Sequence, residues 1–326
     1  MKKDKIRWGI IGLGKIAAKW VEDLLLCREA ELYAVASRSR TKADAFAEKY
    51  GAEKAYGSYD QLINDPEVDV VYVATPHTFH YENTIASLSN GKSVLCEKPM
   101  GMNLLEVDKM IALAKKNNLF LMEAMWTRFI PSIEKMLDIV KQGSLGKILF
   151  IRADFGFKAS WDPSGRVFNK ALGGGSLLDI GIYPVFLSRL LLGDPKEIKA
   201  VARKSITGVD TYCAVLFDYE GGEKAVLEST FEADTPIEAY IYGSKGFLKL
   251  HKRFHHTKKI SVHLTDHDKE EEIILNYVGN GYYHEIKEVV DRLKNNEIQS
   301  SKFTWEESRN LIALLDKIRE KINLHY

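Results

Sequence analysis

The chain has 326 residues, enough for two domains that each bury a core. Hydrophobic residues make up 45% and charged residues 28%, and the net charge of +1 excludes the basic field of a nucleic-acid-binding or membrane-surface protein. The pattern predicts no membrane span, which takes roughly 20 apolar residues, and no secretory leader. The three scattered cysteines predict reduced thiols in a cytoplasmic protein: Cys27, Cys96 and Cys213.

A short apolar strand over residues 6–11 runs directly into a glycine-rich turn that opens a helix to about residue 27. Gly12 permits the tight turn, Gly14 lets the backbone approach a pyrophosphate, and the small Ala17 lets the helix pack on the strand. The N–H groups and positive dipole end of a helix start favour phosphate. We therefore predict a dinucleotide site whose contact residues are Gly12, Leu13, Gly14, Lys15 and Ile16.

The end of the second predicted strand, residues 32–36, indicates which dinucleotide is preferred. An Asp or Glu at this position accepts hydrogen bonds from the ribose hydroxyls of NAD. This chain has Ser37 and Arg38 instead, and a hydroxyl beside a guanidinium suits the 2′-phosphate of NADP. We therefore expect NADP, with NAD as the alternative cofactor. The competing interpretation of these two residues is a basic, solvated turn.

Two further buried strands, over residues 68–74 and 93–96, end in polar loops. The strand over residues 68–74 shows no polar alternation, as is typical of parallel strands covered on both faces. The carboxyl ends of such strands lie at the edge where ligands of open α/β sheets bind. We therefore add these residues to the predicted cofactor site: Thr75, Pro76, His80, Glu97 and Lys98.

His77 and His80 are close enough in sequence to suggest a metal pair. No carboxylate or cysteine ligand lies nearby in the sequence, so we interpret them as loop and helix-start residues and predict no metal site. Pro99 disfavours a helical conformation at Lys98, which places that lysine on a defined loop.

From residue 147 onward the pattern changes to consecutive strands joined by turns, which predicts a large, mostly antiparallel sheet. Helices follow near the end of the chain, and Thr304 with Glu307 fits a capping box. We expect an α/β chain with a Rossmann dinucleotide-binding domain over residues 1–123 and an α+β domain over residues 124–326. A large sheet needs a cover on both faces, which predicts a homodimer through this sheet.

A glycine-rich stretch in the second domain opens a predicted helix from Ser176 to residue 192. On that helix Ser176, Asp179 and Tyr183 are spaced i, i+3 and i+7, which places them on one face. Hydride transfer to or from a carbinol carbon also requires a group that moves a proton. Tyr183 can do so if a cation lowers the phenol pKa from about 10, and Lys98 is the candidate. The alternative is that Asp179 supports the helix start and Tyr183 packs in the core.

Taken together, these motifs resemble the Gfo/Idh/MocA family of NAD(P)-dependent oxidoreductases. The resemblance rests on the turn from Gly9 to Gly14, on Thr75-Pro76 and on Cys96-Glu97-Lys98-Pro99. Residues 123–129 resemble the subgroup that holds dimeric dihydrodiol dehydrogenases and NADP-dependent D-xylose dehydrogenases.

The resemblance implies roles for individual residues. Lys98 would be the electrostatic activator and substrate clamp, Tyr183 the general acid/base, and Asp179 a carboxylate that orients the substrate. It also implies a substrate pocket lined by Trp126, Arg128, Trp161, Arg166 and Asn169.

The predicted function is hydride transfer between a nicotinamide and a hydroxyl or carbonyl carbon of a small, sugar-like or cyclic polyol substrate. An indole wall suits a sugar and an aromatic diol equally, so oxidation of a trans-dihydrodiol is the alternative. A catalytically silent NADP-binding regulator is another alternative, which the presence of Lys98, Asp179 and Tyr183 together disfavours. The remaining histidines are interpreted as surface residues away from the motifs: His251, His255, His256, His263 and His267.

Overall fold

The computed structural model describes residues 4–266 and 270–326. His267, interpreted above as a surface residue, lies outside the described residues. The chain forms two compact units. The first unit combines Met1–Trp126 with Tyr277–Arg309, and the second combines Thr127–Asn276 with Asn310–Tyr326.

The first unit contains a parallel six-stranded sheet with the strand order β3-β2-β1-β4-β5-β6. This order reverses direction beside β1, as in dinucleotide-binding folds, so the predicted Rossmann domain is confirmed. The strands are β1 Ile6–Ile11, β2 Ala30–Ala36, β3 Lys54–Tyr56, β4 Val70–Val73, β5 Ser93–Glu97 and β6 Leu121–Ala124.

The second unit contains an eight-stranded sheet with the order β14-β13-β12-β11-β7-β10-β9-β8. All neighbouring strands are antiparallel except β7 and β10, which are parallel. The predicted large, mostly antiparallel sheet is therefore confirmed. Its strands are β7 Ile148–Gly156, β8 Glu197–Lys204, β9 Asp210–Asp218, β10 Lys224–Thr230, β11 Ala239–Gly243, β12 Gly246–Leu250, β13 Lys259–Leu264 and β14 Glu270–Ile274.

Several helices begin at a side-chain cap, which Ser39, Ser58 and Asn103 provide for the helices that follow them. The capping box is present: the Thr304 N–H donates to Glu307 at 2.6 Å, and the Glu307 N–H donates to the Thr304 hydroxyl at 3.3 Å. The helices are α1 Lys15–Leu24, α2 Arg40–Tyr50, α3 Tyr59–Ile63, α4 His80–Ser89, α5 Leu104–Asn117, α6 Pro131–Lys141, α7 Ile182–Leu192, α8 Tyr283–Lys294 and α9 Trp305–Lys321.

The core of the first unit is centred on three fully buried aromatic side chains. The Trp20 ring of α1 stacks on Tyr72 of β4 with centroids 4.1 Å apart, and it meets the edge of Trp8 of β1 at 4.9 Å. These contacts fix α1 against the middle of the sheet. The glycine turn between β1 and α1 is held in place as a result.

Residues 277–309 pack with the first unit, whereas the sequence analysis assigned them to the second domain. The fully buried Asp23 of α1 provides the reason, because its carboxylate accepts the N–H groups of Asn280 at 2.7 Å, Tyr282 at 2.8 Å and Tyr283 at 3.1 Å. It thereby caps the start of α8 from another helix. Such a contact, more than 250 positions away along the chain, has no local signature in the sequence.

One face of the eight-stranded sheet is buried and the other is largely open. In β10 the inward residues Ala225 and Leu227 are buried, whereas the outward Val226 is 44% exposed. On the outward face Phe150 of β7 stacks on Tyr242 of β11 with centroids 4.2 Å apart. This open face is therefore partly apolar and aromatic.

Residues Lys170–Leu192 form a stretch that is long and apolar enough to cross a membrane, which the sequence analysis did not anticipate. Burial accounts for its composition, since 78% of the apolar window is buried inside the protein. Gly181 lies so close to β10 that an added Cβ would be 2.8 Å from the Ser229 hydroxyl. The apolar window therefore belongs to the core of the second unit.

We predict that Asp23→Ala lowers the free energy of unfolding by about 2–4 kcal/mol, because it leaves the N–H groups at the start of α8, including the buried one of Tyr282, without their acceptor. The exposed neighbour Glu22, whose carboxylate accepts the Asn280 side-chain amide at 3.2 Å, supplies the control. Glu22→Ala should change stability by less than about 0.5 kcal/mol. Urea denaturation of both variants measures the difference, and equal stabilities would contradict this account of α8.

Candidate functional site

The turn after β1 requires glycine at its first position. Gly12 has φ +85°, and a Cβ on it would lie 2.5 Å from the Ala74 carbonyl group and 2.6 Å from the Thr75 nitrogen. Gly14 is different, because a Cβ there would meet only the Gly12 oxygen at 4.0 Å. The space beside Gly14 is therefore open, which is the condition for close approach of a ligand to the backbone.

The start of α1 is suited to an anion. In the described part of the chain, no side chain caps its N-terminus and no acidic residue lies in its first turn. The small Ala17 is fully buried against the sheet, while Gly14 and Lys15 are exposed. The positive end of the helix dipole thus lies at an exposed turn, as a pyrophosphate site requires.

Ser37 and Arg38 lie at the carboxyl end of β2, as predicted. The Ser37 hydroxyl accepts the Ser39 N–H at 3.2 Å, and its own N–H donates to the Tyr56 carbonyl at 3.1 Å. Arg38 is exposed, and its charge opposes the rise that burial causes in the pKa of Tyr59. This edge therefore presents a fixed hydroxyl beside an exposed guanidinium.

His80 joins the loops that follow β4 and β5. Its ring nitrogens lie 2.9 Å from the Thr75 carbonyl oxygen and 2.7 Å from the Pro99 carbonyl oxygen. Burial lowers the pKa of His80 to about 4, against the two carbonyl contacts that favour the imidazolium. The residue is fully buried and orients these two loops, and its predicted contact with a cofactor stays a prediction.

Glu97 and Lys98 are both nearly buried at the end of β5. The Tyr72 hydroxyl donates to Glu97 at 2.5 Å, and the other carboxylate oxygen accepts the Lys98 N–H at 3.2 Å. The Lys98–Pro99 peptide bond is cis. Glu97 is thus occupied in fixing the backbone of the lysine that follows it.

Two buried carboxyl groups near this loop were missed by the sequence analysis. Burial raises the pKa of Glu123 to about 7, and the charge of Lys98 opposes that rise. Burial and the nearby charge of Glu97 raise the pKa of Glu285, whose carboxylate accepts the Trp20 N–H at 3.0 Å. The contacts that hold them, from the Met100 N–H to Glu123 and from Trp20 to Glu285, are distant along the chain and leave no local pattern.

The histidine pair does not form a metal site. The rings of His77 and His80 are 5.7 Å apart, and both nitrogens of His80 face carbonyl oxygens. Within residues 4–266 and 270–326, no group of three or more His, Cys, Asp or Glu side chains is placed to hold a metal ion.

The predicted catalytic helix of the second unit begins with a π-helical turn, Leu177–Gly181, before α7. Its start is held by the fully buried Asp210, which accepts the Ser176 hydroxyl and the Leu177 N–H, both at 2.7 Å. The sequence analysis expected a regular α-helix from Ser176. π-helical turns of this kind occur frequently at functional sites.

Asp179 lies on this π-helical turn and forms an ion pair with Arg166. The Arg166 guanidinium is 2.8 Å from the carboxylate, and the arginine side chain is 49% exposed whereas that of Asp179 is 9% exposed. The structure therefore brings together two residues that the sequence analysis placed separately around the pocket. The pair therefore places a buried carboxylate beside a half-exposed guanidinium in the second unit.

Tyr183 is nearly buried on α7, and its ring contacts two other rings. His255 lies 4.8 Å away and Phe155 of β7 lies 5.7 Å away, measured between ring centroids. The interpretation of His255 as a surface residue is therefore wrong. Its turn, Phe254–His256, is only three residues long and carries no periodic pattern that would have revealed the burial.

The other predicted pocket residues are distributed over both units. In the first unit the Trp126 ring stacks on Tyr282 at 4.4 Å. In the second unit Arg128 pairs with Glu134 at 2.9 Å, and the half-exposed Trp161 packs against Phe168 at 4.7 Å.

The side chain of Asn169 hydrogen-bonds to backbone groups of its own loop. Its side-chain oxygen accepts the Ala171 N–H at 2.9 Å, and its amide donates to the Ser164 carbonyl at 3.3 Å. It thereby fixes the backbone near Arg166, and its assignment to the pocket stays a prediction.

Two family profiles match separate parts of this chain. A family profile for the oxidoreductase family with an NAD-binding Rossmann fold, GFO_IDH_MocA, matches residues 6–125. The profile of the GFO/IDH/MocA C-terminal domain matches residues 133–249.

Similar proteins span nearly the same length. The trans-1,2-dihydrobenzene-1,2-diol dehydrogenase of Mus musculus is 41% identical over 76% of this chain and 75% of its own length. That of Danio rerio is 35% identical over 98% of both chains. A crystal structure of a 3-ketoreductase from Actinomadura kijaniata with NADP and TDP-benzene superposes with a TM-score of 0.88, at 28% identity over 98% of both chains. The chain therefore belongs to the Gfo/Idh/MocA family of NAD(P)-binding oxidoreductases.

Proposed function

We propose that this protein is an NADP-dependent dehydrogenase or reductase acting on a hydroxyl or carbonyl carbon of a sugar-like or cyclic polyol substrate. The observation that carries the proposal is the second unit's arrangement of a ring-packed Tyr183 on the same helical segment as the ion-paired Asp179. The first unit adds an open glycine turn at a helix start. A bound NADP supplies or accepts the hydride, and the protein must move the accompanying proton.

Tyr183 is the proposed general acid/base, and Lys98 is its proposed activator. An ammonium beside a phenol stabilises the phenolate and lowers its pKa toward the working pH. Lys98 suits this role because its N–H is held by Glu97 and the loop is tied to His80 through the Pro99 carbonyl. Each unit of pKa shift corresponds to about 1.4 kcal/mol.

Asp179 and Arg166 are proposed to orient the substrate. The carboxylate can accept a substrate hydroxyl, while the side chain of Arg166, which is 49% exposed, carries a positive charge that suits a second substrate oxygen. Adjacent hydroxyls on a ring present that combination of donor and acceptor. Trp126 and Trp161 are proposed as apolar walls for the face of such a ring.

Oxidation of a trans-dihydrodiol is the second candidate. It is favoured by the relatives from Mus musculus and Danio rerio, both named trans-1,2-dihydrobenzene-1,2-diol dehydrogenase. One assay distinguishes the two candidate functions: the protein and NADP are incubated with D-xylose, with other aldoses and with trans-1,2-dihydrobenzene-1,2-diol, and turnover of each compound is measured. Turnover of an aldose supports the first candidate, and turnover of the dihydrodiol alone supports the second. NADPH binding without any turnover would instead favour a regulatory role.

We also propose a homodimer formed through the open face of the second unit's sheet, in a cytoplasmic protein. Phe150 and Val226 are 40% and 44% exposed on that face. Light scattering should give a mass twice the 37.0 kDa of one chain, and Val226→Glu should halve it. Ile206→Glu, at a loop residue that is 93% exposed, is the matched control. A wild-type mass of one chain would contradict the dimer.

The two glycines of the turn should respond differently to the same substitution. Gly12→Ala should destabilise the fold, because its Cβ would contact the backbone of Ala74 at 2.5 Å. Gly14→Ala should fold normally but bind NADPH at least about 10-fold more weakly, because its Cβ fills space that the pyrophosphate needs. Thermal unfolding and fluorescence titration measure the two effects. Normal NADPH affinity in Gly14→Ala would place the dinucleotide elsewhere.

Arg38→Ala should weaken NADPH binding about 10–100-fold and leave NADH binding within about twofold, because only NADPH carries the 2′-phosphate that pairs with a guanidinium. Arg40→Ala is the matched control, since Arg40 pairs with Asp44 at 2.8 Å. Fluorescence titrations with both nucleotides provide the affinities. An equal loss for NADPH and NADH in Arg38→Ala would argue against recognition of the phosphate.

Tyr183→Phe should lower kcat by at least about 100-fold, since general acid/base catalysis contributes about 10²–10⁴-fold, while the Kd for NADPH is unchanged. Tyr219→Phe is the matched control, because that buried phenol hydrogen-bonds to Ser188 of α7 at 2.7 Å. Near wild-type turnover of Tyr183→Phe would refute the assignment.

Lys98→Met should move the acidic limb of the oxidation pH profile to higher pH, because the proposed cation that lowers the pKa of the phenol is lost.

A further inference from the structure

The rings of Phe155, Tyr183 and His255 form a cluster that we call the aromatic triangle. The His255 and Phe155 rings are 4.5 Å apart and nearly parallel, at 20°. The Tyr183 ring lies 4.8 Å from His255 and 5.7 Å from Phe155, at 35° to each. Every ring of the triangle therefore contacts the other two at distances where aromatic pairs attract each other.

The turn that carries His255 is anchored on both sides. Just before His255, the fully buried Phe254 donates its N–H to the Ile237 carbonyl at 3.0 Å. After it, the Thr257 carbonyl accepts the buried hydroxyl of Ser132 on α6 at 2.7 Å. Moving the turn would break these buried hydrogen bonds, which is costly. His255 is therefore a fixed support for the ring it contacts.

A general acid/base needs such support. Its hydroxyl must stay within hydrogen-bond reach of the reacting oxygen, and a misplacement of about 1 Å can lower the rate about 100-fold. A tyrosine ring turns about two side-chain torsions unless neighbouring groups restrict them. In the second unit, Phe155 from β7 and His255 from its anchored turn are ring neighbours that restrict Tyr183.

We propose that His255 is a positioning residue for Tyr183, whose ring, together with Phe155, holds the phenol in the direction that proton transfer requires. The proposal rests on the proposed role of Tyr183 as acid/base. In this proposal the packing of the His255 ring against Tyr183 positions the phenol, so another flat ring at this position should support nearly the same turnover. An aliphatic or small side chain should not.

The first measurement reports the position of the phenol without any substrate. The protein is labelled with 3-fluorotyrosine, and the ¹⁹F resonance of Tyr183 is assigned by its loss in Tyr183→Phe. In His255→Ala this resonance should shift and broaden, whereas in His255→Phe it should stay close to the wild-type line. An unchanged Tyr183 resonance in a folded His255→Ala variant overturns the proposal.

The second measurement compares kcat and the KM for NADP in the oxidation of D-xylose and of trans-1,2-dihydrobenzene-1,2-diol. His255→Ala should lower kcat about 10–100-fold with the KM for NADP within twofold, and His255→Phe should recover kcat to within threefold of wild type. Lys252→Ala, at an exposed residue of the same loop, should match wild type. A His255→Phe variant as slow as His255→Ala would contradict a role for the ring.

Tyr183→Phe, assayed in parallel, separates the failure of this inference from the failure of the proposed function. If Tyr183→Phe retains full turnover, the acid/base assignment fails whatever the His255 variants show. If Tyr183→Phe is inactive and His255→Ala is fully active, the acid/base assignment stands and the positioning role is refuted.

Discussion

The first unit depends on one steric constraint, the close approach of the turn after β1 to the end of β4. The absence of a side chain at Gly12 allows that turn to lie against the backbone of Ala74 and Thr75. From there His80 connects the Thr75 carbonyl to the Pro99 carbonyl, and Glu97 holds the Lys98 N–H. The edge proposed to bind a dinucleotide is thus built from backbone and side-chain contacts that follow one another. A change in any one of them is expected to reach the next.

Both units use a buried carboxylate to hold the start of a helix. Asp23 accepts the N–H groups that open α8, and Asp210 accepts Ser176 and Leu177 at the π-helical turn before α7. Burying a charge is costly unless hydrogen bonds replace its hydration. The N–H groups at a helix start supply such bonds, and the helix dipole adds to them. Asp210 thereby fixes the segment that carries Asp179 and Tyr183, so the proposed proton-transfer group rests on a rigid base.

The elements that the sequence predicted best are those with strong periodic patterns. The buried parallel strands, the glycine turn and the capping box of Thr304 all follow from local spacing, because apolar periodicity and turn chemistry are local properties. The short β3 and α3 were missed because three and five residues are too few to show a period. The assignment of residues 277–309 differed because the contacts with Asp23 and Glu285 are distant in sequence.

The candidate site was predictable as a set of residue types but not as a set of contacts. The pattern singled out Asp179 and Tyr183, yet it gave no sign that Arg166 pairs with the carboxylate or that His255 packs on the phenol. Both partners come from irregular segments, where the side-chain direction depends on loop conformation. His80 illustrates the reverse case, since its position near a cofactor loop was visible while its complete burial was not.

The most direct test of the central claim is to follow the hydride itself. NADPH deuterated at C4 is incubated with the protein and the aldehyde or ketone form of a substrate that the protein turns over, and the alcohol product is analysed by mass spectrometry. The account predicts one deuterium on the carbinol carbon of the product with the wild-type protein, and no labelled product above background with Tyr183→Phe. Labelled product formed equally by Tyr183→Phe, or a product of the wild-type protein without deuterium on its carbinol carbon, would contradict it.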